Sequence, residues 1–184
     1  MKNTDRIIFL YDELMTKEYQ EIMRLPLTFV SLGLVHGKLY FFNDSKKYRK
    51  FIIPKNNSSA IVFGGLFVLK DYEDYKLRLH SFYNSSSALL DKPHKEDNFI
   101  FSPLNIYPIK ATSYDDLLKS KIEYLDKISC EGFIGNVENE KIKRSITHRY
   151  YKLGVMDKEN FQTLLKERWG KNVEKSLWLW WLFV

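Results

Sequence analysis

The sequence predicts an α+β fold, because strand-like segments dominate up to about residue 136 and helical, charged segments follow. The strongest strand signal is the run over residues 60–69, whose near-continuous apolar character indicates burial on both faces. Beyond residue 137, apolar residues recur at the three- and four-residue spacing of an amphipathic helix. We therefore expect a first region over residues 1–136 and a C-terminal helical region over residues 137–184 that packs on it.

Composition narrows the functional classes. With 184 residues, the chain can form one domain with a full core. Its formal net charge is +6, but the Lys and Arg residues are scattered, which argues against a dedicated nucleic-acid-binding protein. The densest basic group, at residues 46–50, is typical of a solvated loop or an edge strand, with contact to an anion as the alternative.

Two features predict a cytoplasmic protein. Cys130 is the single cysteine, so the chain has neither an intramolecular disulfide nor a cysteine-based zinc site, as expected in a reducing compartment. The first residues lack the apolar core of a signal peptide. In addition, no apolar run approaches the roughly 20 residues of a membrane-spanning helix, and we expect no membrane span.

The predicted site is built around the opening segment. Residues 7–10 form an apolar run that stops at Asp12 and Glu13, which predicts a buried strand that delivers polar groups to the mouth of the fold. Residues 16–24 then predict a helix, and Pro26 ends it because proline cannot continue a helix.

Strands and helices follow in turn. Further strands are predicted over residues 29–42 with a bulge or bend at Gly33 or Gly37, and over residues 51–54, 60–69, 99–101, 105–111 and 130–134. Residues 99–101 and 105–111 predict a hairpin around Ser102-Pro103. Helices are predicted from Asp71 to near His80, over residues 138–151 with Gly154 as C-cap, and from Asp157 to near Gly170.

Several motifs resemble those of the γ-glutamylcyclotransferase-like, or AIG2-like, family. Tyr11-Asp12-Glu13-Leu14 follows the first strand, where the family has Tyr-Gly-Ser/Thr-Leu. The later strand carries Gly-x-Leu-Phe-Val-Leu, similar to the family's Val-x-Gly-x-Leu-Tyr pattern, and residues 141–165 are similar to its closing helices. The resemblance covers residues 6–168 and implies a small mixed β-barrel with flanking helices and a C-terminal helical extension.

The resemblance also implies an activity. In that family, the loop after the first strand offers backbone N–H groups to the glutamyl carboxylate of the substrate. One acid, just after the middle helix, moves a proton while the substrate's α-amine attacks its own γ-carbonyl, which releases 5-oxoproline and an amine. By this correspondence, the residues that contact a small-molecule substrate are Tyr11, Asp12, Leu14, His80 and Tyr83.

The chain departs from the family at the residues that carry the chemistry. Asp12 and Glu13 replace the glycine and the hydroxyl residue, so two carboxylates stand where an anionic substrate would bind and would repel it. His80 and Tyr83 replace the two acids of the family's Leu-Asp-x-x-Glu stretch. Since tyrosine, with a reference pKa of about 10, is a poor base at neutral pH, Glu13 is the candidate for a relocated catalytic acid and base.

Each of these residues also has a structural interpretation. Asp12 and Glu13 suit the N-terminus of the following helix, and His80 suits a helix C-terminus. Tyr83 suits a core or the lining of a pocket. The chain is therefore an enzyme of this type, a catalytically inactive relative that binds a small molecule in the same pocket, or a protein-interaction module.

Two further expectations concern partners. The aromatic tail, residues 177–184, would pack on the fold, form a homodimer or partner contact, or attach to a membrane surface. The four histidines are dispersed, without the spacing of metal ligands. We expect no metal site and no cofactor.

Overall fold

The structure is a computed structural model that describes residues 5–44, 47–56, 58–84, 97–111, 123–148, 152–154 and 156–170. None of the helices in these ranges is long and apolar enough to cross a membrane. The aromatic tail lies outside these ranges, so the homodimer contact stays a prediction.

Within the described residues, seven strands form one sheet, most of which closes into a barrel. In chain order they are β1 (Arg6–Leu10), β2 (Leu27–Asp44), β3 (Lys47–Pro54), β4 (Ile61–Leu69), β5 (Phe99–Pro108), β6 (Ile128–Gly135) and β7 (Lys152–Gly154). The barrel order is β2, β4, β1, β6, β5, and β5 pairs again with β2. Because β1 and β6 are parallel and the other pairs antiparallel, the predicted mixed barrel is confirmed.

The barrel interior is filled by the chain's own side chains. One buried cluster draws on the strands and on Tyr11, but on none of the described helices: Phe9, Tyr11, Val35, Leu39, Ile52, Val62, Leu66, Leu104, Ile106 and Cys130. Gly64 allows this close packing, because a Cβ there would lie 2.3 Å from the carbonyl oxygen of Leu10 and 2.7 Å from the Phe9 ring.

Helices cover the opposite face of the strands. The helices in the described ranges are α1 (Lys17–Ile22), α2 (Tyr72–Tyr83), α3 (Glu140–His148) and α4 (Lys158–Trp169), and a 3-10 turn over Glu13–Met15 precedes α1. Leu79 and Tyr83 of α2 and Phe161 of α4 are buried in a second cluster with residues from the strands. These three side chains therefore pack in the same cluster as residues of the strands.

Strand β2 leaves the barrel at Gly37. It pairs with β4 as far as His36, and from Gly37 onward with β3 and β7. Gly37 has a φ of +157°, and a Cβ there would lie 2.6 Å from the carbonyl oxygen of Ile53. A side chain at this position would therefore clash where the strand changes partner.

Two predicted turns are wrong. The hairpin around Ser102-Pro103 does not form, because β5 runs straight through both residues. At Pro103, β5 pairs with β6 on one side only, because the ladder between β5 and β2 covers only residues 106–108. Pro103 is therefore at an edge of the sheet, where a proline is tolerated. Gly154 is not a helix C-cap, since it belongs to β7 and pairs with Leu39.

Smaller differences concern element ends. The irregularity in β2 lies between Phe29 and Ser31 rather than at Gly33, which pairs in register. Helix α2 continues beyond His80 to Tyr83, which places both residues in its last turn. Asp71 and Asp157 precede their helices as predicted, but neither side chain makes a capping hydrogen bond.

The packing at Gly64 gives a test of the filled barrel. We expect Gly64→Ala to lower the free energy of unfolding by about 2–4 kcal/mol, because the added methyl group overlaps backbone and a buried ring. Val68→Ala, at a half-buried position of the same strand, should cost about 1 kcal/mol. Urea denaturation measures both variants, and an equal or smaller loss for Gly64→Ala would contradict the packing.

Candidate functional site

The predicted site lies in the corner between β1 and α1. Asp12 lies two residues after β1, and its Oδ1 accepts a hydrogen bond from the Leu14 N–H at 3.1 Å. The next two N–H groups are also satisfied, because those of Met15 and Thr16 donate to the carbonyls of Asp12 and Glu13, each at 3.0 Å. Asp12 therefore caps the turn, and the N–H groups of residues 14–16 all donate to acceptors within the turn.

Two tyrosines close the corner. The Tyr83 hydroxyl, at the end of α2, hydrogen-bonds the Asp12 carboxyl group. The Tyr11 hydroxyl donates to the carbonyl of Phe133 at 2.8 Å, and the Tyr83 and Phe133 rings stack with centroids 4.0 Å apart. Burial, followed by the nearby Asp12 charge, holds the pKa of both tyrosines well above the ordinary value.

Lys50 faces Asp12 from strand β3. Its Nζ lies 2.5 Å from Oδ2 of Asp157 and 3.7 Å from Oε1 of Glu13. Burial lowers the pKa of Lys50, but Glu13, Asp157 and Asp12 together raise it above its ordinary value. Asn160 adds a hydrogen bond of 2.6 Å to Asp157. One lysine is thus shared among three carboxyl groups.

Burial and the excess of carboxyl groups over lysine raise the pKa of Asp12. Burial raises its pKa, the neighbouring Glu13 charge raises it further, and Asp157 adds to the effect. Hydrogen bonds from Tyr83 and Leu14 favour the charged form and oppose this shift, yet the pKa still reaches about 7. A carboxyl group in this state can take up or release a proton at neutral pH.

The corner is closed to solvent. Tyr11 and Leu14 are fully buried, Tyr83 is 2% exposed and Asp12 is 3% exposed. The Glu13 side chain is 29% exposed and points to Lys50. Solvent therefore reaches Glu13 directly, but it reaches the Asp12 carboxyl group only if neighbouring side chains move.

His80 lies outside the Asp12 cluster. Its Nε2 is 3.7 Å from Oδ2 of Asp97, and its ring meets the Phe133 ring edge-on, with centroids 6.5 Å apart. The described contacts therefore place His80 at the end of α2 beside Phe133. Five of the six residues predicted for the site share one corner, and their role in function stays a prediction.

Sequence reasoning missed three contributors to the corner. Lys50 and Arg49 belong to the basic group that suggested a solvated loop or edge strand. Both residues lie in the edge strand β3, where Arg49 donates to the carbonyl of Tyr83 at 2.5 Å. Asp157 was expected to act as a helix cap. An anion contact was the alternative considered for the basic group, and Lys50 makes that contact to the protein's own carboxylates.

Comparisons with known proteins agree at the level of the fold. The chain matches a structure described as a gamma-glutamyl cyclotransferase with a TM-score of 0.53 and 13% identity, over 89% of this chain and 80% of the other. It matches the crystal structure of an uncharacterised human protein with a TM-score of 0.51 and 11% identity, over the same shares. No protein-family model and no curated protein matches the sequence. The predicted resemblance is confirmed as a shared fold.

The raised pKa of Asp12 predicts a pH-dependent stability. The folded state holds the proton up to about pH 7, whereas the unfolded pKa is 3.8, so the stability that this group contributes is fully present below 3.8 and is lost as the pH rises from there to about 7. Each pH unit within this window costs on the order of 1.4 kcal/mol. Asp12→Asn stays neutral and keeps an acceptor for Leu14, so its Tm advantage over wild type should grow from pH 5 to pH 8.

The control for this measurement is Glu21→Gln, which removes an exposed carboxylate on α1. Its Tm difference from wild type should stay small at both pH values. A Tm difference for Asp12→Asn that is equal at pH 5 and pH 8 would show that Asp12 does not titrate in this window.

The shared lysine gives a second test. Lys50→Met leaves Asp157 buried without its cation and should lower the free energy of unfolding by about 3 kcal/mol at pH 8. Adding Asp157→Asn removes the uncompensated charge, so the double variant should recover part of the loss. Lys55→Met, at an exposed position just after β3, is the matched control, and an equal loss in both single variants would contradict the network.

Proposed function

We propose that this protein is a small-molecule-binding protein that has the fold of the γ-glutamyl cyclotransferase structure it matches but does not carry out the cyclisation. The observation that carries the proposal is the position of the Asp12 carboxyl group. It accepts the Leu14 N–H, one of the loop N–H groups that the family resemblance assigns to a substrate carboxylate. The protein's own side chain thus occupies the place of the ligand group.

Electrostatics support the same conclusion. A γ-glutamyl compound carries a carboxylate, and at this corner it would meet Asp12, Glu13 and Asp157. The facing cation, Lys50, already pairs with two of these groups. The carboxylate of the compound would add a further negative charge with no cation left to pair with it. An unpaired charge in a buried environment carries a large free-energy cost.

A second candidate function is the cyclisation itself, with Asp12 as the proton carrier. Its support is the pKa of about 7, which suits a general acid and base at neutral pH. Glu13, the acid expected from the sequence, is more accessible but is held toward Lys50. This reaction requires the corner to open, because the Asp12 carboxyl group must touch the α-amine of the substrate.

Release of 5-oxoproline from a panel of γ-glutamyl amines separates the two functions. The full chain should give no product above a buffer blank, while an active γ-glutamyl cyclotransferase gives product under the same conditions. Turnover by the wild type would overturn the proposal. Its loss in Asp12→Asn alone would then identify Asp12 as the proton carrier, and its loss in Glu13→Gln alone would identify Glu13.

A further inference from the structure

A groove opens where the two strands that close the barrel separate. β2 and β5 pair at residues 33–35 and 106–108, and beyond Val35 and Ile106 their ladder ends. β2 continues to His36 and then turns to β3, while β5 extends in the other direction beside β6. The gap between them is a cavity of about 560 Å³, within the size range of small-molecule sites.

The accessible lining of the groove is mainly polar, with a smaller apolar part. Its described lining residues are Val35, His36, Pro54, Asn56, Pro103, Leu104, Asn105, Tyr107 and Lys127. Within the described part of the chain, the side chains of Asn105 and Lys127 make no hydrogen bond or ion pair. These polar groups are therefore available to a ligand.

His36 is held in a defined orientation. Its Nδ1 lies 2.7 Å from the carbonyl oxygen of Ser58, which can only accept, so Nδ1 carries the proton. Its ring meets the Tyr107 ring edge-on, with centroids 5.4 Å apart. A fixed imidazole beside a phenol and two carboxamides provides several hydrogen-bonding groups that converge on one cavity.

The charge of the groove is opposite to that of the Asp12 corner. Lys127 is charged, and none of the described lining residues is acidic. The corner, in contrast, places three carboxyl groups around Lys50. An anion is therefore attracted to the groove and repelled from the corner.

We infer that this groove binds a small organic anion, with a carboxylate or phosphate near Lys127 and Asn105 and an apolar body against Pro54, Pro103 and the Tyr107 ring. Contact with these three side chains favours an organic anion over an inorganic ion, because burial of the organic body adds to the charge interaction. This inference rests on the proposed binding role and gives the class of its ligand.

Titrations followed by NMR test the inference on the full chain. The probes are benzoate and phenyl phosphate as organic anions, benzyl alcohol as a neutral counterpart, and inorganic phosphate as an anion without an apolar body. The imidazole resonances of His36, assigned with His36→Gln, report occupancy. We expect both organic anions to shift these resonances at concentrations up to about 10 mM, with the alcohol and inorganic phosphate at least about tenfold weaker.

Variants locate the binding. Lys127→Gln and Asn105→Ala should each weaken binding of the organic anions by about fivefold or more. Lys76→Gln, which removes an exposed lysine of α2, should leave binding unchanged. An equal affinity in Lys127→Gln and wild type, a response to benzyl alcohol as strong as to benzoate, or no shift at His36 would each overturn the inference. Because 5-oxoproline release is measured separately, a failure here is distinguishable from a failure of the proposed function.

Discussion

The constraint on which much of the structure depends is the departure of β2 from the barrel at Gly37. A Cβ at this position would strike the backbone of β3, so the glycine lets one strand serve two sets of partners. Before it, β2 closes the barrel against β4 and β5. After it, β2 pairs with β3, which carries Arg49 and Lys50 to the corner after β1. The same departure separates β2 from β5 and opens the groove beside His36.

The Asp12 corner has more carboxyl groups than nearby lysine charge. Asp12, Glu13 and Asp157 share Lys50, and the buried Asp12 has a pKa near neutrality. Protonation of one carboxyl group removes the excess negative charge, so the corner needs no second cationic side chain. The Tyr83 hydroxyl and the Leu14 N–H then supply the remaining hydrogen bonds.

Much of the fold could be predicted from the sequence, because buried strands leave long apolar runs. The run over residues 60–69 became β4, and the abrupt change at Asp12 marked the end of β1. The predicted hairpin at Pro103 was wrong. Proline interrupts a strand where its missing N–H group would have to pair with a neighbouring strand, and an edge position does not require that pairing. Strand β7 was missed because three residues carry too little pattern.

The site was harder to predict for a physical reason. Asp12 and Glu13 are adjacent acids, and the sequence does not indicate which one is buried. That is decided by the backbone direction at the end of β1 and by contacts with Tyr83 and Lys50, which are distant in sequence. The role of Lys50 depends on the register of β3 with β2, which was not specified by the basic cluster alone.

Asp12 and Tyr83 are best understood as one unit. The family resemblance places a glycine at the first position and an acid at the second, whereas here the carboxyl group lies in the loop and a hydroxyl lies at the end of α2. Without Tyr83, the buried Asp12 carboxyl group would keep the Leu14 N–H but lose its second donor, and without Asp12 the buried Tyr83 hydroxyl would lose this partner. Together they satisfy each other and seal the corner. A ligand-binding role on this scaffold then requires another concave surface, and the separation of β2 from β5 provides one that is lined by a lysine and no described acid.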